Sequence, residues 1–161
     1  MYITGSGKQV EFEDVIVKLK EFYNKTKQYD SEYQIIVGTD SQNHANTTVV
    51  NVIAMVCEGH GGIFFYEKTT IPKVKDVKIK LQIETNESLN VALKLVDLVE
   101  KDEELYLNCP ISIHVDAGNS VKGKTKELIP GLVGWINSCG FSASVKPDSF
   151  AASSIADKFS K

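Results

Sequence analysis

Apolar residues at Phe12, Val15, Ile16, Leu19, Phe22 and Tyr23 recur at spacings of three and four, with Lys and Glu between them. That period predicts an amphipathic helix ending near Tyr29-Asp30-Ser31. Residues 1–10, before it, read as a short polar lead containing Gly5 and Gly7. After the helix the pattern changes to β-rich apolar runs: Tyr33 to Thr39, Thr47 to Cys57, and Ile63 to Tyr66 with its flanks. Asn43-His44-Ala45-Asn46 marks a turn between the first two, and Gly59, Gly61 and Gly62 mark one between the last two. Three strands with short links imply an antiparallel meander. From Val77 to Glu100 a helical period returns without Gly or Pro. A strand over Ile111–Asp116, a helix over Thr125–Ser138 stopped by Gly140, a strand over Phe141–Lys146 and a helix over Ser149–Phe159 complete the chain. The order β-β-β-α-β-α-β-α predicts an α/β fold with a mixed five-stranded sheet flanked by helices. Residues 1–32 form a helical extension before a 33–161 core, and with no repeat or linker in sight 1–161 reads as one domain, as its 161 residues allow.

Composition narrows the function classes. The net charge of −3 argues against coating nucleic acid by bulk electrostatics. All 18 cationic side chains are Lys, so phosphates would meet point charges rather than the planar fork that reads guanine, and binding should be weakly sequence-specific. Cys57, Cys109 and Cys139 lack the spacing of a zinc or redox motif, which suits a reduced, cytoplasmic setting. Neither a signal-like start nor a membrane-length apolar run is present, so no membrane partner is expected.

The chemistry suggested by the pattern lies in scattered carboxylates. Asp40 closes the run Ile35-Ile36-Val37-Gly38-Thr39, where a charge on a central strand is costly unless neutralised; locally it also suits a turn. Glu84 interrupts the stripe Leu81, Ser88, Val91, Leu95 and Leu98 on the long helix, a core-facing row whose end could also reach water. Asp116 ends the strand Ile111–Asp116, on the face of Ser112 and His114. Asp157 shares a stripe with Phe150, Ser153 and Ser154 on the last helix, where small Ser side chains permit close approach to the sheet. Asp148, after Pro147, is better explained as a helix cap. Carboxylates brought together resist ionisation unless cations accompany them, and an all-oxygen donor set selects Mg²⁺ or Mn²⁺. Two such ions suit phosphodiester hydrolysis.

Gly38-Thr39-Asp40-Ser41-Gln42, Leu81 and Glu84 with Ser88, His114-Val115-Asp116-Ala117-Gly118, and Lys146-Pro147 through Ala156-Asp157 resemble, in that order, the YkuK-like family of ribonuclease-H-like proteins. The resemblance covers roughly residues 33–161. It implies the ribonuclease H fold, with Asp40, Glu84, Asp116 and Asp157 as catalytic and metal-holding residues. Two Mg²⁺ or Mn²⁺ ions are then expected, bridged by Asp40, and the substrate is RNA, DNA or a hybrid. Ser41, Gln42, His114, Lys122, Lys124 and Lys146 are the expected substrate contacts.

Rival readings attach to other features. Gly118-Asn119-Ser120-Val121-Lys122-Gly123-Lys124-Thr125 matches the phosphate-loop pattern and would cradle a nucleotide through Lys124 and Thr125. Asp116 beside it would set negative charge against those phosphates. A non-catalytic domain that binds nucleic acid or protein is the other alternative. Lys122, Lys124 and Lys126, and the run Lys73, Lys75, Lys78 and Lys80, serve either as a basic rim or as ordinary solvated surface. His44 and His114 are placed to shuttle protons or to serve structure alone, and His60 reads as a turn residue. Trp135, with Leu128, Leu132 and Ile136, is expected in the core rather than on a base-stacking surface.

Overall fold

A computed structural model of the chain describes residues 1–116 and 126–145. Its elements are β1 (Tyr2–Thr4), β2 (Gln9–Val10), α1 (Phe12–Thr26), β3 (Tyr33–Asn43), β4 (Thr47–Cys57), β5 (Gly62–Ile71), α2 (Val77–Val99), α3 (Glu103–Asn108), β6 (Ile111–Val115), α4 (Ile129–Ser138) and β7 (Ser142–Val145). The fold is a mixed α/β structure built on one sheet of order β2-β1-β5-β4-β3-β6-β7. β3, β4 and β5 form the expected meander, and β6 and β7 add in parallel.

Three expectations change. The polar lead is a small hairpin: β1 pairs with β2 and then with β5, so the described residues hold seven strands rather than five. A short helix, α3, follows α2. The helix expected over Thr125–Ser138 is a 3-10 turn, Lys126–Leu128, leading into α4, which has Pro130 in its first turn, where a missing N–H costs nothing. The helix expected over 149–159 lies outside the described residues.

The termini of the elements follow from local chemistry. The Asp14 carboxylate accepts the Glu11 N–H at the start of α1, and Asp76 accepts from the N–H groups of Lys78 and Ile79 at the start of α2, satisfying donors that have no partner within a helix. Asp102 caps α3 and also receives the Lys20 ammonium, 2.9 Å away, which ties α3 to α1. The turn between β4 and β5 needs positive φ at Gly59 (77°) and Gly61 (86°), a backbone region that favours glycine.

Alternation divides the sheet into two faces. Ile35, Val37, Ile53, Met55, Ile113 and Val115 meet the apolar stripes of all four helices in one core, to which Leu19 of α1, Leu95 of α2, Leu105 of α3 and Ile136 of α4 belong. The other face carries Ile36, Val50, Val52 and Ala54, also buried. Tyr2 and Val10 of the hairpin sit in the helix-side core. A buried polar relay crosses that core: Tyr2 Oη donates to Asn51 Oδ1 (3.0 Å), Asn51 Nδ2 donates to Thr39 Oγ1 (2.9 Å), and Thr39 and Ser88 share a hydrogen bond of 2.7 Å. The hairpin is thereby linked through β4 and β3 to α2.

Trp135 departs from its expected place. It is 38% exposed, while Leu132 and Ile136 on the same helix are buried. Free thiols stand at Cys57, Cys109 and Cys139, the first two buried, and burial pushes the Cys109 thiol up to about 12. No helix among the described residues is long and apolar enough to cross a membrane.

Removing the first hydroxyl of the relay leaves Asn51 short of a donor inside the core. Tyr2→Phe is therefore expected to lower unfolding free energy by about 1–3 kcal/mol, measured by urea denaturation. An unchanged midpoint would mean that the hairpin is not coupled to the core in this way.

Candidate functional site

The site begins with strand register. β3 and β6 run parallel with Gly38 opposite His114, and Asp40 and Asp116 each follow two residues further on. Neighbouring strands lie about 4.8 Å apart, so a long separation in sequence becomes adjacency in space. Alternation puts Asp40 on the face of Gly38, while Asp116 follows the last residue of its strand. β6 ends at Val115, whereas β3 runs on to Asn43.

Glu84 arrives from the other face. α2 crosses β3 with Leu81, Thr85 and Ser88 buried against the sheet, and Glu84, at the edge of that stripe, accepts a hydrogen bond from the buried hydroxyl of Ser41. A small cavity of about 10 Å³, room for roughly one water, lies between α2 and the end of β6. Thr39, Glu84, Ser88, His114 and Asp116 are among its walls.

Electrostatics report the proximity of the three acids. Burial pushes the Glu84 carboxyl up to about 8; the Ser41 hydrogen bond pulls it down, the negative charges of Asp40 and Asp116 push it up, and the Lys80 ammonium pulls it down. Asp40 and Asp116 are thus each within electrostatic reach of Glu84. They do not form a finished ligand set: among the described residues no three His, Cys, Asp or Glu side chains converge closely enough to hold a metal ion. The donor chemistry nevertheless fits a hard divalent cation. The oxygens are carboxylate and hydroxyl, and a carboxyl raised chiefly by desolvation, and further by two nearby acids, is one that a bound cation would ionise.

The remaining expected site residues fall in different places. Ser41 is buried, and its hydroxyl donates to the Glu84 carboxyl group. Gln42 is half-buried one residue further along β3, and His114 is buried in the cavity wall. His44 is exposed in the β3–β4 turn. His60 is in the β4–β5 turn, stacked on Tyr29 with ring centroids 4.0 Å apart. Asp157, Lys122, Lys124 and Lys146 lie outside the described residues, as does the phosphate-loop pattern Gly118–Thr125. The Thr39–Ser88 contact and the supporting role of Asn51 were not anticipated. An alternating pattern could have suggested only that Asn51 faces inward from a strand, not what it meets.

Comparison with known proteins agrees with the fold. A family profile described as Ribonuclease H-like matches residues 14–161. The match includes much of α1, which the resemblance read from the sequence had left outside. A protein of Bacillus subtilis (strain 168), named as Uncharacterized protein YkuK, is 31% identical over 171 aligned positions, which cover 100% of this chain and 97% of that protein. No solved structure matches the chain at a significant level.

The position of Glu84 has a measurable consequence. Its folded value of about 8 lies above the ordinary 4.5, so between those limits the folded chain keeps a proton that the unfolded chain releases. Stability without added cation is full below pH 4.5 and falls as pH rises toward 8. Glu84→Gln should flatten this decline and raise stability at pH 8 by on the order of a few kcal/mol, read from urea unfolding in chelator. Asp40→Asn should hold or slightly raise metal-free stability by relieving like-charge repulsion. Marked unfolding of Asp40→Asn would show that the acids do not oppose each other.

Proposed function

Because the chain belongs to the ribonuclease H-like family, we propose that it is a metal-dependent nuclease hydrolysing phosphodiester bonds of RNA or DNA. One observation carries the reading: Asp40 on β3 and Asp116 just past the end of the parallel neighbour β6, with a half-buried glutamate brought within electrostatic reach of both by a helix. In the ribonuclease H-like family this is nuclease-type or nucleic-acid-binding architecture, and the concentration of acid groups favours the nuclease.

Asp40, Glu84, Asp116 and Asp157 are the residues assigned to hold Mg²⁺ or Mn²⁺, two ions being expected. When bound, such ions activate water for attack on phosphorus and stabilise the departing oxygen. The chain's own contribution is to hold acid groups close enough to need a cation and to fix their direction. Ser41 orients the Glu84 carboxylate, while Ser88 and Thr39 lock the helix to the strand one turn away. Lys122, Lys124 and Lys146 are assigned to the phosphates on either side of the cut bond, Gln42 to the rim and His114 to the floor. With Lys as the sole cationic residue type, contacts to the backbone dominate and sequence preference is weak. The buried, free thiols suit a reducing compartment, and we assign the protein to the cytoplasm.

The expected outcome is cleavage of RNA, DNA or hybrid by the purified chain with Mg²⁺ or Mn²⁺, abolished by chelator. Asp40→Asn and Asp116→Asn should each lower the rate more than about a hundredfold, since loss of even an outer-shell partner of a metal ligand costs about 10–100-fold. Ser41→Ala belongs in that milder range. Lys124→Ala should leave ATP and GTP affinity unchanged; nucleotide binding lost in that variant would favour the phosphate-loop alternative. Independently of activity, Mg²⁺ should raise the melting temperature at pH 8 in the wild type and not in Asp40→Asn. Binding of all three nucleic acids without cleavage, insensitive to Asp40→Asn, would instead make the domain a non-catalytic binding module.

A further inference from the structure

Trp135 and α2 enclose a feature that the carboxylate site does not use. Ile79, Gln82, Ile83 and Asn86 on α2 face Leu128 and Trp135 across an open groove of about 570 Å³, within the size range of about 300–1,000 Å³ typical of small-ligand pockets. Ile79 is 49% exposed and Trp135 38%, so an indole ring and an isoleucine stand in water on facing helices. A core explanation does not cover them, because the stripe of α4 that reaches the core is carried by Leu132 and Ile136.

We infer that this groove is a nucleobase subsite, in which Trp135 stacks a base of the bound strand and Gln82 and Asn86 meet its polar edge. The inference rests on the nuclease reading and extends it to substrate contacts beyond the cut bond. Three features favour a base over an apolar peptide side chain. The aromatic surface is paired with two carboxamides, each carrying both a donor and an acceptor, the complement of a base edge. Lysines stand beside the groove, Lys78 and Lys80 adjoining Ile79 on α2 and Lys126 two residues before Leu128, where a polyanionic strand could meet them, alongside the acidic Glu87 and Glu127. The neighbouring Asp76 spends its carboxylate on the α2 N–H groups. The groove also adjoins the site along α2, since Gln82 and Asn86 lie two residues either side of Glu84, although the two share no lining residue. That spacing turns them to the outward flank of α2, about a helix diameter, 10–12 Å, from the carboxylate.

Trp135 is the sole tryptophan, so its emission reports this groove alone. The full chain is titrated with short oligothymidylate and oligouridylate in chelator, following tryptophan emission and, separately, anisotropy of the labelled oligonucleotide. Saturable quenching is expected. Trp135→Ala should weaken affinity about tenfold, Trp135→Phe should stay within about threefold of wild type, and Gln82→Ala with Asn86→Ala should fall between them. Thermal melts of each variant separate binding from folding. Oligonucleotide binding with unchanged emission, and equal affinity in Trp135→Ala, would overturn the subsite while leaving the nuclease reading intact. Quenching in a chain that never cleaves would retain the subsite and remove the nuclease. Emission that responds to protein concentration alone, together with a sedimenting dimer, would give the groove to a second copy of the chain and overturn the proposal.

Discussion

The parallel pairing of β3 with β6 is the constraint on which the rest of the molecule depends. Register in a sheet has a period of two, and a slip by one residue would turn every side chain of β6 to the opposite face. Ile113 and Val115 would leave the helix-side core, and Asp116 would lose its place beside Asp40. The apolar alternation of β6 thus fixes the position of a charged residue that it does not itself contain. Packing energy of the apolar strand residues, not attraction between like-charged acids, sets the pairing that brings the two aspartates to neighbouring strands' ends.

A second layer of support runs beneath the acids. The relay from Tyr2 through Asn51 and Thr39 to Ser88 is buried and hydrogen-bonded along its length, and such networks specify one arrangement because any other leaves polar groups unsatisfied. Its last member lies one helical turn from Glu84. The N-terminal hairpin, at the far side of β5, therefore helps to fix the rotation of α2 and with it the direction of the Glu84 side chain. The family match begins within α1, after the hairpin, whereas the relative from Bacillus subtilis aligns with the entire chain, hairpin included.

Much of this was legible in the order of residues because long elements carry a period. The meander, α2 and the β6 strand each span enough residues for alternation or helical spacing to show, and Glu84 stood out as a carboxylate in an apolar row. The hairpin did not, since strands of three and two residues have no period to detect, and α3 is too short for one. Trp135 shows a different limit. Helical spacing identifies a stripe but not how wide a strip the neighbouring element covers, so a residue at its margin reads as core until the partner is in place. The Ser41–Glu84 contact joins residues 43 apart; each was visible, but their meeting is a product of tertiary packing.

The strand pairing also fixes an order of assembly. Gly38 and His114 are 76 positions apart, and contacts of that separation form slowly because the intervening loop must be closed first. On a ribosome the meander and α2 emerge while β6 is still unsynthesised, so a nascent chain holds Asp40 and Glu84 well before it has an Asp116 to set beside them. Partial chains therefore lack the third acid until the parallel crossover is complete.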